Sequence, residues 1–147
     1  MSKRIVVGLD GSPYARSALD LAVRRAKVYE STIIGLAVID RPNIEQLAAG
    51  AQPGAFQMSE HTVSSMLNDA KQHAEELIAQ FRMTCDLEKV AHEDIIYTGT
   101  PCEGLREEGK TADLIIMGLR TFFHYPTREG PGDTLEHLLK DPVCPVL

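Results

Sequence analysis

The chain has 147 residues, 15 Lys+Arg against 21 Asp+Glu and a formal net charge of -6. That length fits one domain spanning residues 1–147 with a substantial core, and an acidic chain with no basic run makes nucleic acid a poor partner. No apolar run nears the roughly 20 residues that cross a bilayer, the amino-terminal apolar stretch is too short for a secretory signal, and Cys85, Cys102 and Cys144, far apart with no CxxC pair, read as reduced thiols of a cytoplasmic protein.

Residues 4–9, RIVVGL, form an apolar, β-branched run that predicts a buried strand ending at Asp10-Gly11. Ser12 is suited to cap a helix and Pro13 to open it. Ala15, Ala18, Leu19, Ala22, Val23 and Ala26 then follow the helical period, and the alanines let this helix lie close on a sheet. Residues 31–39, STIIGLAVI, predict a second buried strand, parallel to the first across a right-handed crossover. Residues 40–59 are rich in Pro, Gly and Ala and read as a surface loop with one helical turn at 43–48. Val63, Met66, Leu67, Ala70, Ala74, Leu77, Ile78 and Phe81 mark one face of a long amphipathic helix.

A third strand is expected at 93–97 and a short helix after Pro101, broken by Gly104 and Gly109. Residues 113–118, DLIIMG, predict a fourth strand, and GDTLEHLLKD a final helix with Leu135, Leu138 and Leu139 inward. CPVL at 144–147 opens a fifth. Strands alternating with helices predict an open α/β sheet, whose ligands sit at the carboxyl ends of strands. Asp10, Val38 to Asp40, and Gly118 onward occupy those ends.

Familiar chemistry is missing. GLDGS has Gly8 where a DxDG[ST] phosphatase needs its nucleophile, and it is no GxGxxG. The third strand ends in YTGTP, without the Asp that a receiver domain phosphorylates. There is no GxSxG and no HExxH, and His61, His73, His92, His124 and His137 are scattered. Asp10 remains as a strand-end carboxylate, placed either to accept from ribose hydroxyls or to bond nearby backbone amides.

The combination of IVVGLDGSPYARSALDLAV, ADLIIMG and the ending LEHLLKDPVCPVL resembles the universal stress protein family over nearly the whole chain. The resemblance implies a Rossmann-like α/β fold, an open five-stranded parallel sheet of order 3-2-1-4-5 with helices on both faces. It also implies a homodimer through the carboxyl-terminal strand, with this chain as the first half of a tandem protein as the alternative. Some members of the family bind ATP through G-x2-G-x9-G-[ST] after the fourth strand. Here Gly118 matches the first glycine, Thr121 stands at the second, Gly132 comes one residue late and Asp133 replaces the Ser/Thr.

Each loss has a physical consequence. Thr121 adds a β-branch where a glycine lets amides approach phosphate, and Phe122 and Phe123 add bulk. Asp133 is a good helix cap, but it sets a carboxylate beside a polyphosphate. Two like unit charges about 4 Å apart cost on the order of 1 kcal/mol in water and several times that near a protein surface. Arg120, His124 and Arg128 offer compensating side-chain contacts. Phe122, Phe123 and Tyr125 either cap an adenine or fill its place. The candidate nucleotide-binding residues are therefore Asp10, Val38, Gly118, Arg120, Gly132 and Asp133. The expectation is a cytoplasmic, non-catalytic regulatory or interaction domain, with weak or absent binding of ATP or AMP, no metal and no membrane. An ATP-binding, nucleotide-responsive switch is the alternative, and a slow ATPase a distant third.

Overall fold

A computed structural model describes residues 3–49, 56–118 and 133–147. The elements in chain order are β1 (Arg4–Leu9), α1 (Pro13–Tyr29), β2 (Thr32–Ile39), α2 (Arg41–Ala49), α3 (Phe56–Glu88), β3 (His92–Thr98), α4 (Pro101–Gly109), β4 (Leu114–Ile116) and α5 (Asp133–Lys140). Four strands hydrogen-bond in the order β3-β2-β1-β4, every pair parallel. In register, Val7 faces Gly35 on one side and Ile116 on the other.

Five strands were expected; the described residues form a sheet of four. Val146 makes a single parallel bridge to Ile115, fixed by hydrogen bonds from Ile115 N–H to Pro145 O, Leu147 N–H to Ile115 O and Met117 N–H to Leu147 O. Pro145 has no N–H to donate, so this segment lies where a fifth strand would without building a ladder.

Strand alternation sorts the core into two layers. Ile5, Val7, Leu9, Ile33, Ala37 and Ile39 meet α1 and α3, while Val6, Ile34, Leu36, Val38 and Ile115 meet Leu105 of α4 and Leu138 of α5. All six residues of the expected α1 stripe are buried. Phe81 of α3, 1% exposed, lies over Gly35, where an added Cβ would fall 2.7 Å from its ring. The ring also meets His92 edge-on at a centroid distance of 5.7 Å.

Three local expectations change. Residues 41–49 form a helix, not a single turn: the Asp40 carboxylate accepts from Asn43 N–H at 3.1 Å, and Ile44 and Ala48 turn inward one turn apart. Gly104 lies within α4, where its lack of a side chain admits the Tyr97 ring, 2.8 Å from where a Cβ would stand. Leu139 is 54% exposed; two-turn α5 buries only a narrow stripe, Thr134 and Leu138.

Candidate functional site

β1 is flanked by β2 on one side and β4 on the other, so the chain reverses its direction of travel across the sheet at β1. The crevice between the carboxyl ends of β1 and β4 is the topological switch point, the place where open α/β sheets bind ligands. Asp10, Gly11 and Ser12 follow β1, and Met117 and Gly118 follow β4.

The first of these groups is tightly built. Half-buried Asp10 accepts Ser12 N–H at 2.8 Å through Oδ1. Ser12 Oγ in turn accepts Ala15 N–H at 3.1 Å, capping α1, and Pro13 opens the helix as expected. Gly11 has φ 79°, a left-handed conformation that favours glycine. A Cβ there would lie 3.3 Å from Leu77 Cδ2 and 3.7 Å from His73 Cε1. So α3 brings His73 to the rim of the switch point, a residue the sequence reading set aside. The Asp-Gly-Ser turn was legible, but the approach of a residue some 60 positions away leaves no local signal.

The same end of the sheet gathers two more helix starts. Asp40 caps α2 at the end of β2. Thr100 caps α4 after β3 through a reciprocal capping box: Glu103 N–H donates to Thr100 Oγ1 at 3.3 Å, and Thr100 N–H donates to Glu103 Oε2 at 3.4 Å. The positive ends of three helix dipoles therefore face this edge, while the side chains of Ser12, Asp40 and Thr100 already engage an amide of each.

The candidate residues distribute as follows. Asp10 and Gly118 flank the switch point. Val38 sits near the carboxyl end of β2, with its side chain in the core beside α4 and α5 rather than open to a ligand. Asp133 is the first residue of α5, but its side chain lies outside what the structure describes, as do Arg120, Gly132 and the loop residues Thr121, Phe122, Phe123, His124, Tyr125 and Arg128.

Nucleophilic and metal chemistry find little support among the described residues. Burial pushes the Cys85 thiol up to about 12, and burial also raises the Cys102 and Cys144 thiols, so all three are held protonated at neutral pH. No group of three or more His, Cys, Asp or Glu side chains converges on a metal position among the described residues. No helix among them is long and apolar enough to cross a membrane.

The model of the universal stress protein family matches residues 1–147. The chain belongs to that family. Solved structures of universal stress proteins share its fold. One, UspA from Lactobacillus plantarum, is 21% identical with a TM-score of 0.75, and the match covers 99% of this chain and 95% of that one. Another, from Arabidopsis thaliana with AMP bound, is 19% identical with a TM-score of 0.61, covering 99% and 89%. A third, in complex with cAMP, is 19% identical with a TM-score of 0.54, covering 99% and 94%. None of the curated proteins matches the chain.

Proposed function

We propose that this universal stress protein is a non-catalytic regulatory domain of the cytoplasm that takes adenine nucleotides weakly, by their nucleoside half, at the β1–β4 switch point. The observation that carries this reading is the arrangement of that crevice. The turn after β1 and the glycine after β4 flank it, while the three neighbouring helix starts have amides engaged by their own caps. The sequence beyond Gly118 keeps two of the four elements of the phosphate pattern, Gly118 and a displaced Gly132. The AMP and cAMP held by two solved relatives are nucleotides with a single phosphate, which is in keeping with this division. Calorimetric titration with ATP, ADP and AMP, with and without magnesium, tests it. Weak binding that hardly distinguishes AMP from ATP is expected. Turnover of ATP in the same samples would remove the non-catalytic part of the proposal.

The same reading includes one domain over residues 1–147 and a homodimer through the carboxyl-terminal segment. Leu147 N–H and Pro145 O bond to β4, so alternation turns the N–H and C=O of Val146 outward. Val143 and Leu147 are exposed beside it, an edge that a second copy would cover in a self-complementary contact. Light scattering should give a dimer that Val146→Pro dissociates by removing the outward donor. A monomer of 16.2 kDa for the unmodified chain would end the dimer proposal.

A further inference from the structure

The opposite, amino end of the sheet holds a second cavity, of about 320 Å³, that nothing in the nucleotide reading uses. Lys3 and Arg25 meet there over one ring: the Lys3 Nζ lies 5.0 Å and the Arg25 Cζ 5.5 Å from the Tyr29 centroid. Among the described residues neither cation has an ion-pair partner, although the nearby Arg4 pairs with Glu93 and Lys27 with Glu88. Two like charges are thus held near each other in a chain whose net charge is -6.

Ser31, 3% exposed, lines the same cavity, and its Oγ has no hydrogen-bond partner among the described residues. A buried hydroxyl without a partner is destabilising unless something supplies one. The one carboxylate of the lining, Asp113, already accepts Arg4 N–H at 2.8 Å through Oδ2. The remaining wall is apolar, from Ile5, Leu114 and Pro145. A favourable interaction of Lys3 and Arg25 with the carboxyl end of α1 would account for the two cations. It would not account for the buried Ser31 hydroxyl.

We propose that this cavity is a site for a small phosphate-bearing anion. Arg25 and Lys3 hold its charge, the guanidinium in the forked geometry that suits phosphate oxygens. Ser31 Oγ–H donates to one oxygen, and Ile5, Leu114 and Pro145 receive whatever carbon skeleton the phosphate carries. The site is separate from the nucleotide crevice and does not depend on it.

The test is an amide NMR titration of the full chain at constant ionic strength, once with inorganic phosphate and once with glycerol 3-phosphate. Saturable shifts at Ser31, Thr32 and Leu114, with Gly11 and Gly118 still, are expected. Tighter binding of glycerol 3-phosphate assigns an organic phosphate to the site, and equal binding assigns free phosphate. Arg25→Gln should weaken binding about tenfold, the loss of one charge-assisted contact, with Lys3→Gln as the second variant should the first not fold. Shifts that do not saturate, shifts centred on Gly11 and Gly118, or binding unaltered in both variants would overturn the proposal.

Discussion

At the carboxyl end of the sheet, attraction for an anion comes from backbone: α1, α2 and α4 all start there, and Ser12, Asp40 and Thr100 each engage a free amide. At the amino end it comes from side chains, Lys3 and Arg25 over Tyr29, in a cavity that Ser31 also lines. A capped helix start keeps its dipole but has given up part of its hydrogen-bonding capacity, so it favours negative charge without gripping it. The family's phosphate pattern runs from Gly118 to Asp133, and in this sequence it is half lost. The amino end depends on no such loop, and salt should screen its attraction more directly.

The largest perturbation acts on both ends together. Phe81 joins α3 to the centre of β2 through Gly35, and Phe81→Ala should cost about 3–5 kcal/mol in urea denaturation. A cost under about 1 kcal/mol would mean that α3 is not anchored there, and the positioning of His73 beside Gly11 would fall with it.

Asp133→Ser separates the ends. Replacing the carboxylate at the start of α5 should raise ATP affinity about tenfold and leave phosphate binding at the amino end unchanged, because the family's phosphate pattern carries a Ser/Thr at this position and has no counterpart at the amino end. Stability should fall by at most about 1 kcal/mol, since Ser also caps well. An unchanged ATP titration would show that the bulk of Thr121, Phe122 and Phe123 excludes the ligand, not the charge.

Ser12→Ala probes the caps themselves. It should lower stability by about 1 kcal/mol through the loss of the Ala15 N–H bond, while freeing that amide for a ligand. If nucleotide binding weakens instead of holding or improving, Ser12 contacts the ligand directly and the capped-edge explanation fails.

The smallest effect lies away from both ends and serves as a reference. Arg82 bonds both carboxylate oxygens of Asp94, at 2.6 and 2.7 Å, and this hydrogen bonding holds the Asp94 carboxyl below its usual range. A depressed carboxyl stabilises the fold above its unfolded pKa, and that stability is lost as pH falls through the folded value. Arg82→Ala should therefore shift the denaturation midpoint slightly at neutral pH and not at all once the medium is acid enough to protonate Asp94. A shift independent of pH would mean that the aliphatic stem, not the ion pair, contributes. Neither end of the sheet should respond in its ligand titrations.

Much of the fold could be read because single elements carried consistent local signals. The β1 run, the Ser12–Pro13 start and the alanine stripe of α1 all pointed the same way. α2 escaped because the Pro and Ala content of its segment looked like loop, although Asp40 as cap with Pro42 in the first turn was the available sign. Leu139 misled because an apolar residue beside an inward one need not share its stripe on so short a helix. Asp10 and Gly118 could be placed at the site because strand ends are readable. His73 at Gly11, and Lys3 with Arg25 at Tyr29, could not, since long-range packing decides them.

The direct test of weak, nucleoside-led binding is a calorimetric comparison of AMP with ATP plus magnesium on the unmodified chain. Dissociation constants within a few-fold of each other, both weak, are what the half-lost glycine pattern and the capped helix starts predict. Micromolar ATP with AMP bound much more weakly would contradict it, and would assign phosphate recognition to Arg120, His124 or Arg128.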